Sequence, residues 1–168
     1  MLVLWVYGKT NAGKTTLGKA LYDEFALPGI RVKHYDGDDF RKTINRWVGF
    51  SLDGRHQAVT NVANLVRWEM EKFDVQIVTM VTPLSKSREF IRVLLSPYVR
   101  FVLLDCDWRI CKLRDKKDLY CRDAENVNVF ERSNHWDHCL ATDKMSVDEC
   151  VAALRFHIIG REGYKCGK

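Results

Sequence analysis

One stretch near the start constrains this chain more than any other. Gly8-Lys9-Thr10-Asn11-Ala12-Gly13-Lys14-Thr15 fits G-x-x-x-x-G-K-[ST], a loop whose backbone N–H groups ring a phosphate. Its flanks give the pattern weight. Leu2-Val3-Leu4-Trp5-Val6-Tyr7 before it is an apolar run of strand length. After it, Thr16 to Phe25 sets Leu17, Ala20, Leu21 and Phe25 on one helical face. Strand, glycine loop and helix form a unit in which loop amides and a helix N-terminus attract anionic oxygen. Lys14 adds a point charge near the outer phosphates, and the Thr15 hydroxyl is a ligand for Mg²⁺. Gly8, Asn11, Ala12, Gly13, Lys14, Thr15 and Thr16 are therefore candidate ATP contacts.

The rest of the chain alternates in the same way. Strands are expected near 2–7, 31–36, 75–80, 99–105 and 139–142, and helices near 14–26, 38–46, 55–72, 85–95, 107–113 and 146–159. Ser85 is the expected N-cap of one helix. Ser146-Val147-Asp148-Glu149 reads as a capping box opening the last. Such alternation predicts an α/β fold: a P-loop NTPase-type three-layer α/β/α sandwich with a mostly parallel five-stranded sheet. Its ligands should lie beyond the carboxyl ends of the strands. The length of 168 residues suits a single domain, 1–168. No apolar run approaches the ~18 residues of a membrane span, and the N-terminus lacks signal-peptide features. A cytoplasmic protein is expected. None of the six cysteines stands in a C-x-x-C pair, so free thiols are expected. The net charge of +5 suits anionic substrates but is too mild to demand nucleic acid.

Tyr35-Asp36-Gly37-Asp38-Asp39-Phe40-Arg41 follows the second strand. Phosphoryl transfer needs a metal, charge neutralisation and a positioned hydroxyl more than covalent help. Asp36 and Asp38 are the candidates for holding the metal and for accepting the acceptor's proton, and the sequence does not divide the two roles. Lys14, Asp36 and Asp38 are thus candidate catalytic residues, and Thr15 and Asp36 candidate metal residues. Asp38 or Asp39 could equally cap the following helix. The third strand runs into Thr79-Met80-Val81-Thr82-Pro83, and no hydrophobic strand was expected to end in the single aspartate of a motor NTPase. That favours a small-molecule kinase. Residues 114–138 are charged and poor in apolar periodicity, the composition of a lid. Arg41, Arg55, Lys86, Arg88, Arg114, Lys116, Lys117 and Arg122 are candidates for anion contact, with those in 114–122 favoured as lid cations.

These motifs, in this order, resemble the adenylylsulfate kinases over residues 2 to 155 or so. Asp36-Gly37-Asp38-Asp39-Phe40-Arg41 is similar to that family's D-G-D-N-I/V-R. Gly49-Phe50-Ser51 with Arg55 resembles G-F-S-x-x-D-R. Thr82-Pro83 with Arg88 resembles S-P-x-x-x-x-R, and Arg114-Asp115-Lys116-Lys117-Asp118-Leu119-Tyr120 resembles R-D-x-K-G-L-Y. The resemblance implies MgATP-dependent phosphorylation of a ribose 3′-hydroxyl on a nucleotide-type acceptor, adenylyl sulfate. It implies that Asp38, Arg41, Phe50, Arg55, Thr82, Lys117 and Phe130 bind the acceptor, Phe50 and Phe130 by stacking on its base. Arg114 and Lys117 would contact ATP, and a homodimer is the implied assembly. Ala58 and Thr60 stand where the family has asparagine and arginine, Gly54 replaces an aspartate, and Asp118 replaces the lid glycine. With a changed acceptor pocket, the alternatives are another conjugate such as a cytidine diphosphoramidate, or a hydroxymethylated pyrimidine in DNA. A non-catalytic nucleotide-binding module is the third reading. The five tryptophans are expected in the core, with Trp47 as a wall of the acceptor pocket.

Overall fold

Seven consecutive buried residues, Leu2–Gly8, make the strand β1. A strand buried on both faces sits at the centre of its sheet, with its side chains divided by the two-residue repeat. Leu2, Leu4 and Val6 enter one hydrophobic cluster with Leu17, Leu21 and Leu154. Val3, Trp5 and Tyr7 enter the other with Val59, Val62 and Ile91. The computed structural model describes residues 1–116, 118–122, 129–132 and 136–162, with backbone alone for 121–122 and 156–162.

Around β1 the chain lays down α1 (Lys14–Phe25), β2 (Val32–Asp36), α2 (Gly37–Lys42), α3 (Leu52–Trp68), a 3₁₀ turn (Met70–Lys72) and β3 (Val75–Thr79). There follow α4 (Ser85–Leu95), β4 (Val99–Asp105), α5 (Trp108–Leu113), α6 (Leu119–Arg122), β5 (His138–Ala141) and α7 (Val147–Glu162). The sheet order is β2-β3-β1-β4-β5. All four strand pairs are parallel. Helices α1 and α7 cover one face, α3 and α4 the other. Among the described residues, no helix is long and apolar enough to cross a membrane.

The expected strands lie where the sequence put them, to within a residue or so. Several helix ends differ, for local reasons. The helix expected at 38–46 stops at Lys42, where Thr43 leaves helical dihedrals (φ −118°, ψ −106°). Its cap is Asp36, whose side chain accepts from the Asp38 amide, and not Asp38 or Asp39. α3 starts three residues earlier than expected because Ser51 caps it by accepting from Gly54 N. Ser85 is the first residue of α4 and not its cap; the Glu131 carboxylate accepts from Ser85 N instead. The capping box is present as read. Ser146 N donates to Glu149 Oε2 at 2.7 Å, and Glu149 N donates to Ser146 Oγ at 3.2 Å. The tryptophan expectation fails for four of five. Trp5 is fully buried, whereas Trp47, Trp68, Trp108 and Trp136 are exposed. Of the described cysteine side chains, Cys106, Cys111, Cys139 and Cys150 are free thiols.

Candidate active site

The carboxyl edge of the sheet opens into a cavity of about 880 Å³. One end is the loop between β1 and α1. Thr10 through Thr16 line it, while Gly8 closes β1 behind it. Asn11 takes a left-handed conformation (φ 62°), which asparagine tolerates better than most residues. Its Nδ2 is buried and has no hydrogen-bond partner among the described residues. A buried donor without an acceptor is costly, and one facing a loop of amides suits an anionic ligand. Lys14 Nζ donates to the Lys9 carbonyl at 2.6 Å, curled back over its own loop. Enclosure pushes this ammonium down to about 8, against the pull of Cys111, Asp38 and Asp36. A triphosphate would supply the oxygens that the loop lacks, so the residues present fit ATP.

Asp36 ties this end to the sheet. Its Oδ2 accepts from Thr15 Oγ1 at 2.7 Å and from Thr79 Oγ1 at 3.0 Å, and its Oδ1 accepts from Asp38 N at 2.8 Å. Burial would raise this carboxyl, but the three hydrogen bonds and nearby His34 outweigh it and hold the group below its ordinary value. Thr79 has one hydroxyl proton. Given to Asp36, it requires His34 to donate Nε2–H to Thr79 Oγ1 across their 2.9 Å contact. α1 comes close enough for this chain only because residue 18 is glycine: a Cβ there would stand 2.5 Å from both His34 Nε2 and Thr79 Cγ2. A hydroxyl and an ionised carboxylate side by side are hard oxygen ligands, a pair that fits Mg²⁺.

The other end is cationic. Arg41 Nη1 donates to Val48 O at 2.8 Å, and Arg55 Nε donates to Phe50 O at 2.9 Å. Both guanidiniums lie over the Phe50 ring, 4.5 Å and 5.8 Å from its centroid. Burial and then Arg55 depress Arg41. Two like charges held over one ring are relieved by an anion. The turn that presents Phe50 is tight, since a Cβ on Gly54 would stand 2.5 Å from Gly49 O. Glycine at 54, where the resembled pattern has aspartate, is what this packing demands. Ala58, Val59, Met80, Val81, Thr82 and Pro83 form the wall between the two ends.

The structure thus gathers Thr15, Thr16, Asp36, Asp38, Arg41, Phe50, Arg55, Thr82 and Arg114 around one space. It does not bring all of the expected residues there. Phe130 is not among the residues lining the cavity; it stacks on Tyr7 (centroids 6.3 Å apart) beside Arg88. Arg88 is buried at 5% exposure and gives its donors to the protein itself, so it is not an anion contact. Lys86 pairs with Asp53 at 3.1 Å. Trp47, 87% exposed, does not wall the pocket. Lys117 lies outside the described residues. A hydrophobic strand does end in aspartate, contrary to expectation. Asp105 closes β4, but it is exposed and does not line the cavity.

Sequence reasoning missed the far end of the phosphate loop. Thr142, Met145, Ser146, Val147 and Cys150 line the cavity there, and Thr142 Oγ1 donates to Ala12 O at 2.9 Å. Arg114 Nη2 donates to Thr142 O at 2.9 Å. Leu119 of α6 borders the same space, and Tyr120 hydroxyl donates to Thr10 O at 3.0 Å. The capping box marked where α7 begins, but nothing in its residue types pointed to a ligand. His34 and Thr79 were missed because their role depends on strand register, with His34 beside Ile77 and Asp36 beside Thr79.

A parallel sheet with a phosphate loop after its central strand β1, and an acid at the end of the edge strand β2 one strand beyond β3, defines a P-loop kinase, a phosphotransferase acting on a hydroxyl group. Comparison narrows the class. The adenylylsulphate kinase family model matches residues 1–132, and the chain belongs to that family. Adenylyl-sulfate kinase of Paraburkholderia xenovorans (strain LB400) is 28% identical over 165 residues, covering 94% of this chain and 92% of that protein. Adenylyl-sulfate kinase of Bacillus pumilus (strain SAFR-032) is 29% identical over 128 residues, which span 76% of this chain and 64% of that protein. A Mycobacterium tuberculosis APS kinase solved in complex with AMPPNP and APS shares the fold, with TM-score 0.83 at 21% identity over 91% of this chain and 94% of that one. The protein is an ATP-dependent kinase.

Proposed function

We propose that this kinase transfers the γ-phosphoryl group of ATP to the ribose 3′-hydroxyl of adenylyl sulfate. The observation that carries the reading is the layout of one cavity. The Thr15–Asp36 contact lies at its phosphate end, and Arg41 and Arg55 lie over Phe50 at the other. The names of the adenylyl-sulfate kinases it matches support the acceptor.

The geometry supports a role for each residue it describes. The loop amides, Asn11 Nδ2 and Lys14 bind the donor phosphates, with Lys14 turning from Lys9 O to the phosphate oxygens. The nucleoside of ATP lies between Arg114 and the Thr142–Val147 turn. Thr15 and Asp36 would hold Mg²⁺, which when bound neutralises charge between the outer phosphates. Asp36, kept ionised by its three donors, is a better metal partner than base. Asp38, which lines the same cavity, then accepts the proton of the incoming hydroxyl. Arg41 and Arg55 orient the anionic part of the acceptor, and Phe50 offers its ring to the base. Lys117 contributes a lid cation. A homodimer is the proposed assembly, checked by light scattering on the purified chain.

The test is an acceptor panel with ATP: adenylyl sulfate, a cytidine diphosphoramidate, and DNA carrying hydroxymethylated pyrimidine. Product position is read by ³¹P NMR. Turnover of adenylyl sulfate with phosphate on the 3′ oxygen supports the proposal. Preference for either other acceptor, or phosphate elsewhere on the ribose, overturns it. Neither the DNA-modifying nor the non-catalytic reading finds support in the matches.

A further inference from the structure

Arg88 is the buried charge that the reaction does not use. It is 5% exposed on α4, and burial depresses its guanidinium below the ordinary arginine value. Its two terminal nitrogens are nevertheless satisfied, by two chain segments far apart in sequence. Nη1 donates to Thr82 O and to Pro83 O, each at 3.0 Å. Nη2 donates to Ser85 Oγ at 2.8 Å and to Glu131 O at 3.2 Å. The guanidinium lies between the rings of Tyr7 and Phe130, 5.6 Å and 5.9 Å from their centroids. Glu131 N donates to Pro83 O at 2.9 Å, closing the link a second time.

One of the clamped residues is strained. Thr82 has φ 45°, a left-handed conformation that a β-branched residue avoids and that persists only where its surroundings over-determine it. Two bonds do so: Trp5 Nε1 donates to Thr82 Oγ1 at 2.9 Å, and Arg88 holds the carbonyl. Thr82 and Pro83 line the same cavity as Phe50, and residues 130–131 lie within the 114–138 stretch expected as a lid.

We infer that Arg88 is a positioning residue that fixes the acceptor wall at Thr82–Pro83 to the return of the lid at Phe130–Glu131. It thereby sets acceptor binding without touching either substrate. Only a planar fork serves four oxygens from two segments; a lysine ammonium is a point donor on a flexible stem. The inference rests on the proposed acceptor for its kinetic readout and on geometry alone for its second.

The experiment compares wild type, Arg88→Lys and Ser85→Ala, the last as a milder variant that removes one acceptor of the fork and leaves the buried guanidinium in place. Steady-state kinetics with adenylyl sulfate and ATP is run beside hydrogen exchange of the Glu131 amide. Arg88→Lys should raise the acceptor KM about tenfold or more, leave the ATP KM within about twofold, and lower protection of the Glu131 amide about tenfold. Ser85→Ala should show the same split, smaller. Equal losses in both KM values, or unchanged Glu131 protection, would overturn the inference. If wild type does not use adenylyl sulfate, the proposed function fails, and the exchange measurement alone still decides the clamp. If Arg88→Lys does not fold, Ser85→Ala decides it.

Discussion

Thr15 Oγ1 donates to Asp36 Oδ2 at 2.7 Å, so the hydroxyl that closes the phosphate loop already rests on the acid that ends β2. Loop and acid come from adjacent α/β units and are locked before any ligand arrives. Asp36→Asn keeps an oxygen for the cap on the Asp38 amide, because asparagine caps as well as aspartate, and removes the charge together with the acceptor for the Thr15 and Thr79 hydroxyls. The turnover number should fall about a hundredfold or more while the melting temperature stays within a few degrees. Steady-state kinetics beside thermal unfolding checks both halves.

Phe50 is 54% exposed and held by the two guanidiniums above it. Stacking of a base on an aromatic ring contributes about 1–3 kcal/mol. Phe50→Ala should therefore raise the acceptor KM roughly five- to 150-fold, with the ATP KM little changed. Both constants come from one initial-rate matrix.

Gly54 lets the Phe50 turn close on itself, with Gly49 O where a side chain would begin. In Gly54→Asp the turn must open. The acceptor preference should shift, measured as the ratio of kcat/KM for adenylyl sulfate to that for a cytidine conjugate, while ATP affinity by calorimetry stays the same.

Asp74 ties the starts of β2 and β3 together by accepting from Arg31 N and Nε at 2.9 Å and 3.1 Å. Those bonds hold its carboxyl at about 2, below the ordinary 3.8. A lowered folded value means the stabilisation is fully present above about pH 4 and disappears as the pH falls through about 2. Asp74→Asn should lower the urea midpoint at pH 7 and converge on wild type as the pH falls below about 2. The pair is largely exposed, so added salt should shrink the difference.

What could be read from the sequence was whatever is written locally. The phosphate loop, the Ser146–Glu149 box and the apolar run of β1 each carry their own signal within a few residues. What could not be read depends on which segments meet. Phe130 and Arg88 sit in motifs that resemble substrate contacts, yet the fold turns both toward Tyr7. The exposed tryptophans lie outside both hydrophobic clusters, and three of them, Trp47, Trp68 and Trp108, sit under a cationic side chain. Thr142 and Met145 became cavity residues only because β5 lies beside β4, which puts their turn next to the phosphate loop.

The central claim is that Lys14 and Asp36 serve transfer from ATP to adenylyl sulfate within one cavity. The direct measurement is a single-turnover reaction with γ-³²P-ATP and adenylyl sulfate, run with wild type and with Lys14→Ala, each first shown to be folded by circular dichroism. The account predicts label on adenylyl sulfate with wild type and none above background with the variant. Equal labelling by both proteins, or none by wild type, would contradict it.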